Sequence, residues 1–326
     1  MIVDTYYKNA SIIVANYHEK LWVNDDNELV IYDHLNGFDQ TKYSSILDSV
    51  VNQAMESNIN TIITGYIFNE SIKNQYPNIN FKYQQEAVGG RGWEGLSTHL
   101  PTNIKSEKFK NFLCSFNHAP SIGRHLLLAM LGQFELFDPD YCSKHFTISK
   151  DSIDGHVYAM EPINNRYYRK FLINFDDDFG NIISEFGDSV NSTKLYNNMP
   201  ELISKLTDSF VHLVSETLAT SYYPFVTEKF LYSIVTKGLF VSYAHPGWHN
   251  HIEQYSGFKL YRQIFDYRFD LIESPIERLI ALITMLLKFS KLPKDDLYDL
   301  YLMEKDTIDY NYDHYISGDY LKLVNN

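Results

Sequence analysis

The sequence predicts an α/β fold in two domains, and three observations predict it. Short apolar runs alternate with helically spaced segments along most of the chain, the pattern of parallel strands joined by crossover helices. The chain has 326 residues, more than one average domain uses and enough to bury a full core. Residues 83 to 110 gather Gly89, Gly90, Gly92 and Pro101 with a Lys/Glu/Ser/Asn cluster and little periodicity, which marks a connection. The expected division is an N-terminal domain, 1–107, and a C-terminal domain, 108–326.

Within the first domain, the run from Ser11 to Asn16 reads as a strand. Lys20 to Val23 and Glu28 to Tyr32 flank the turn-rich Asn24, Asp25, Asp26 and Asn27, as the arms of a hairpin would. Thr41 to Ser57 has the apolar spacing of a helix, and Asn60 to Gly65 follows as a buried strand. The second domain opens with a strand at Asn111 to Phe116 and a helix near Ile122 to Leu131. A strand at Phe210 to Val214, a helix from Glu228 to Lys237 and a strand at Leu239 to Tyr243 come next. Ser274 to Leu279 then opens a helix over Pro275 to Ser290, with an apolar stripe of Ile276, Leu279, Ile280, Ile283, Leu286 and Leu287. From Lys294 onward the mixture of Asp, Tyr and Leu predicts one or two helices packed across the domain junction.

Composition narrows the function classes. Lys and Arg number 28 against 41 Asp and Glu, a net charge of −13 that repels polyanions unless basic groups gather in one cleft. Nucleic acid is therefore the lesser partner expectation. The only cysteines are Cys114 and Cys142. Two such residues make neither a disulfide framework nor a paired metal motif, and they fit a reducing compartment as plain buried thiols. The first residues lack the basic and apolar regions of a secretory signal. The longest apolar stretch, Leu279 to Leu287, falls far short of the ~20 residues that span a bilayer. A cytoplasmic protein without a membrane span is expected.

The segment from Tyr223 to Tyr243 reads as a loop, a helix start and a buried strand. Thr227 is a natural N-cap. A helix start concentrates unpaired N–H groups and a positive dipole suited to a diphosphate, Lys229 adds a cation, and Glu228 can accept two hydrogen bonds from a ribose diol. Its neighbours are Phe210 to Thr217 upstream, Gly257 to Asp270 downstream, and the helix start from Ser274 to Leu279. In this order they resemble the donor-binding domain of alpha-1,3-fucosyltransferase-like and related viral-type glycosyltransferases. In those families a strand ending in a glutamate, here Glu216, precedes a Phe-x-Thr-Glu-Lys helix and a later Gly-Phe…Phe-Asp…Tyr-Asp segment. Phe269 stands where such sequences tend to have Tyr. Asn111 to Arg124, with Asn117 after the strand, resembles the strand and arginine-bearing helix start that opens the same domain.

The resemblance covers roughly residues 108 to 290. It implies a GT-B-like architecture of two Rossmann-like domains with a cleft between them. A nucleoside-diphosphate sugar would bind the C-terminal domain as co-substrate, with no further cofactor. A hydroxyl acceptor would lie mostly on the N-terminal one, and the acidic charge of the chain favours a glycan as that acceptor. Glu228 would bind ribose hydroxyls, Lys229 and Arg124 would neutralise the diphosphate, and His245 is a further candidate contact to its phosphates. The chain departs from the pattern at His118 to Gly123, where many relatives carry several basic residues, which leaves Arg124 as the sole cation there. Two alternatives stay open: transfer to a hydroxylated base in DNA, and a non-catalytic nucleotide- or carbohydrate-binding module.

Sugar transfer to a hydroxyl needs a base for the acceptor proton and cations for the leaving diphosphate. The candidate bases are Asp33, Asp39, Glu70 and Glu94. Glu94 is favoured because its neighbouring glycines allow close approach and Trp93 offers a stacking face. Three histidines, His245, His249 and His251, fall within seven residues. A loop leading into a helix accounts for them, and no metal is expected there. The acidic run Asp176, Asp177 and Asp178 reads as a solvated turn rather than a cation site.

Overall fold

The computed structural model describes residues 20–23, 29–32, 51–52, 54–64, 74–83, 108–117, 122–143, 199–216, 226 and 229–322. It is a mixed α/β protein with two four-stranded sheets. The expected strand at Ser11 to Asn16, the turn 24–27 and the first part of the helix expected from Thr41 lie outside the described residues.

The first sheet contains β1 (Lys20–Val23), β2 (Leu29–Tyr32), β3 (Thr61–Thr64) and β4 (Asn80–Tyr83), in the order β1-β2-β3-β4. The β1–β2 pair is antiparallel, with Lys20 opposite Tyr32, as a hairpin demands. Strands β2, β3 and β4 run parallel, with Ile62 between Leu29 and Phe81. Residues 54–56 are helical, and Val51, Ala54, Ile59 and Ile62 are each buried. Strand β4 has no counterpart in the sequence reading, because four residues containing Asn80 and Lys82 give no clear alternation.

The second sheet is wholly parallel and has the order β6-β5-β7-β8. Its strands are β5 (Asn111–Phe116), β6 (Cys142–Ser143), β7 (Ser209–Ser215) and β8 (Leu239–Tyr243). Every residue of β7 and β8 is buried, as expected where helices cover both faces of a parallel sheet. Helix α1 (Ile122–Gln133) follows β5, α2 (Met199–Asp208) leads into β7, and α3 (Lys229–Val235) connects β7 to β8. Helix α3 stops earlier than the expected Lys237. There Lys237 takes a left-handed φ of 52°, and Gly238 N donates to Ser233 O at 2.7 Å, closing the last turn.

Beyond β8 come α4 (Trp248–Ser256), a 3-10 turn (Tyr267–Leu271) and α5 (Pro275–Ser290). Helix α5 begins and ends where the sequence places it. Ser274 Oγ accepts from Glu277 N at 3.4 Å and Pro275 occupies the first turn, a pre-organised helix start. Its buried face differs from the expected stripe. Ile280 is 43% exposed, while Arg278, Leu282 and Met285 are buried beside Leu279, Ile283 and Leu286. At 100° per residue, 275, 278, 279, 282, 283 and 286 share a face that 280 leaves.

The C-terminal segment forms three helices rather than one or two: α6 (Lys294–Met303), α7 (Lys305–Ile316) and α8 (Asp319–Lys322). They pack on the second sheet's own helix α3 and strand β7. Tyr301 stands edge-on to Phe109 at 5.5 Å, and Tyr301 Oη donates to Lys237 O at 2.8 Å. The irregular segment 257–266 is clamped by α7 and by Glu304 just before it. Asn311 accepts from Lys259 N at 2.8 Å and donates to Lys259 O at 2.9 Å, and Glu304 accepts from Gln263 N at 2.7 Å. An aromatic cluster of Phe230, Phe240, Trp248 and Phe258 joins α3, β8 and α4 in edge-to-face contacts such as Phe230–Trp248, 5.5 Å at 88°.

Candidate functional site

An open parallel sheet offers a ligand its carboxyl edge at the point where strand order reverses, because the two flanking connections leave on opposite sides. In the order β6-β5-β7-β8 the chain goes from β5 to β6 on one side and then to β7 on the other. The reversal lies between β5 and β7. Their carboxyl ends, with that of β8, are therefore the first place to look for chemistry.

Asn117 follows β5 and is fully buried. Its Nδ2 donates to Ser115 Oγ at 3.2 Å, and Ser115 Oγ donates to Leu213 O at 2.9 Å, so the amide is tied to both strands that flank the reversal. Arg124 lies in the first turn of α1 and is only 2% exposed, unlike an ordinary helix-surface arginine. Its Nη2 donates to Ser215 O at 3.4 Å. Glu216 follows β7, is fully buried, and its N–H donates to Tyr243 O at 3.1 Å. Ser215 Oγ and Ser242 Oγ are buried and make no hydrogen bond among the described residues. Each such hydroxyl costs about 1–3 kcal/mol when left unsatisfied, and functional edges are where proteins tolerate that cost.

His245 lies two residues past the end of β8 and is half-buried. Nearby, burial depresses the imidazole of His251 to a pKa of about 3, with a smaller push from His245. Four expected residues, Asn117, Arg124, Glu216 and His245, thus belong to the carboxyl ends of three neighbouring strands and the helix that follows the first. Lys229 is half-buried at the start of α3, a helix of seven residues whose short dipole adds little. Thr227, Glu228, Asp33, Asp39, Glu70, Glu94 and the run Asp176 to Asp178 lie outside the described residues.

Three residues of this edge were not among the expected site residues. His249 in α4 is fully buried, and Asp270 in the 3-10 turn is 2% exposed. Asp270 Oδ1 lies 2.7 Å from His249 Nδ1, and Oδ2 accepts from His249 N at 3.0 Å. On the other side of the ring, Nε2 accepts from Ser242 N at 3.1 Å. Both ring nitrogens are committed, so this imidazole offers no lone pair to a cation. Among the described residues no group of three or more His, Cys, Asp or Glu gathers to hold a metal. Arg278 in α5 is 1% exposed; its Nε donates to Ala244 O at 2.9 Å, and Nη1 reaches the carbonyls of Ile272 and Glu273.

The edge therefore holds a cation, a carboxylate, an amide and hydroxyls within a buried frame. No protein-family model, curated protein or solved structure matches this chain. No helix among the described residues is long and apolar enough to cross a membrane.

Proposed function

We propose that the chain is a glycosyltransferase that moves a sugar from a nucleoside-diphosphate donor to a hydroxyl acceptor, a glycan, within a GT-B-like pair of domains. One observation carries the reading: Asn117, Arg124, Ser215 and Glu216 are buried together at the strand reversal of a parallel sheet, where α/β folds bind nucleotides. The order of motifs over residues 108 to 290 supports it. In this reading Arg124 faces the donor diphosphate, bridging two of its oxygens with a planar fork, and Glu216 accepts from hydroxyl groups of the donor.

In the transfer itself the acceptor oxygen forms a bond to the anomeric carbon as the bond from that carbon to the diphosphate oxygen breaks. The acceptor proton passes to a carboxylate, for which Glu94, Asp39, Asp33 and Glu70 are the proposed bases, and the nucleoside diphosphate leaves with the electron pair. The cationic side chain stabilises that leaving group.

A thermal-shift and calorimetric screen against uridine, guanosine, cytidine and thymidine diphosphates and their sugars tests the reading. One nucleotide should raise Tm by several degrees at saturation, since a ligand at 100 times its Kd adds about 2.7 kcal/mol. Arg124→Lys, which keeps the charge and loses the fork, should weaken binding, as should Glu216→Gln. If no nucleoside diphosphate binds at millimolar concentration, the proposal is wrong. If one binds but no hydroxyl acceptor is ever glycosylated, the chain is a binding module.

A further inference from the structure

We propose that Asp270 and His249 are positioning residues that hold the Ala244–Gly247 loop, and with it His245, against the nucleotide edge. The inference rests on the reading of that edge given above, and it adds residues that touch no ligand. Four hydrogen bonds carry it. Ser242 N donates to His249 Nε2, His249 N donates to Asp270 Oδ2, Gly247 N donates to Asp270 O at 2.7 Å, and Arg278 Nε donates to Ala244 O. Strand β8 ends its sheet among the described residues. The imidazole thus takes the N–H that β8 turns to its open side, just before the chain enters the loop.

The bonds fix the tautomer. Nε2 accepts from a backbone N–H, so the ring proton is on Nδ1 and is donated to Asp270 Oδ1. The carboxylate accepts at both oxygens, from the ring and from His249 N. An asparagine cannot replace it. With the amide oxygen toward His249 N, the amide nitrogen faces Nδ1, drives the ring proton to Nε2, and sets Nε2–H against Ser242 N–H. With the amide reversed, its nitrogen meets His249 N–H. In either orientation two donors meet, although the substitution changes almost no volume.

The experiment compares wild type, Asp270→Asn and His249→Gln, the last keeping an oxygen for Ser242 N but losing the donation to Asp270. Two readouts are taken well below Tm: amide hydrogen exchange, and affinity for the nucleotide that the wild type binds. The expected result is faster exchange across residues 244–249, unchanged protection in β5 and β7, and nucleotide affinity down by about tenfold, the worth of one displaced hydrogen bond. Wild-type affinity in a variant whose loop has loosened would overturn the positioning role. Unchanged exchange in the loop would overturn the lock itself. If the wild type binds no nucleotide, the proposed function fails, and the lock alone is upheld by loop opening in either variant or refuted by its absence. If Asp270→Asn does not fold, His249→Gln supplies both readouts.

Discussion

Arg278 Nε donates to the main-chain oxygen of Ala244 at 2.9 Å, across 34 positions of sequence, and so fastens helix α5 to the end of strand β8. The same guanidinium serves the carbonyls of Ile272 and Glu273. A buried cation used this way trades its hydration for several carbonyl partners, and removing it strands them. Arg278→Met, close in volume and uncharged, should cost about 2–4 kcal/mol. Urea unfolding monitored by circular dichroism checks this, and a loss below half a kcal/mol would contradict the stapling role.

Gly247 adopts φ 78° at the start of α4, with nothing within 4 Å of where a Cβ would stand. Space is open, so Gly247→Ala should be penalised by backbone strain alone, by about 1–2 kcal/mol. Gly247→Asn should cost less, because asparagine tolerates the left-handed region. Melting temperatures that rank glycine, asparagine and alanine in descending order are the expected outcome.

The pH dependence of stability should carry a signature of His251. Its folded pKa is pulled down to about 3 by burial, whereas the unfolded imidazole titrates near ~6.5. Between those values the unfolded chain binds the extra proton, so stability is full above pH ~6.5 and falls as pH drops toward 3. The slope from this one group approaches about 1.4 kcal/mol per pH unit. Carboxylates contribute in the same range, so the measurement is the difference between wild type and His251→Leu. Wild-type stability minus that of the variant should fall steadily from pH 7 to pH 4, because only the wild type has an imidazole that takes up a proton on unfolding.

Cys142 is fully buried, and burial pushes its thiol up to about 12; Cys114 is buried as well. The thiolate is the reactive form. Ellman's reagent at pH 8 should therefore find no reactive thiol in the native protein and two in urea. Rapid labelling of either cysteine in the folded state would show that this part of the second sheet opens readily.

Much of the fold was legible because local pattern decides it. The run Asn111 to Phe116 is bounded by turn residues, and β5 occupies those six positions; Leu239 to Tyr243 behaves the same way. Helix α5 announces itself through Ser274, Pro275 and Glu277, whose capping works within one turn. Helix α2 has no counterpart in the sequence reading; Pro200 stands in its first turn, where a missing N–H has no partner to lose. Strand β6 is two residues long, too short for any period.

The candidate site was legible in part. Asn117, Arg124, Glu216 and His245 each follow or flank a strand that periodicity identifies, so a position near a carboxyl edge could be read. Asp270 was visible within the Gly257 to Asp270 segment, and His249 within a trio of histidines, but their pairing was not. They stand 21 positions apart, and no local propensity registers a contact made across a loop, a helix and an irregular segment.

By itself the sequence determined the longer strands of the second sheet, helix α5 and the α/β alternation that parallel strands require, because hydrophobic period and capping act over a few residues. The tertiary structure alone decided the order β6-β5-β7-β8. Apolar runs pack equally well beside several neighbours until the crossover connections fix one arrangement. That order sets Arg124 beside Ser215 O, and the packing of the segments after β8 closes Asp270 on His249, since burial obliges each polar group to find a partner in whatever element lies next to it.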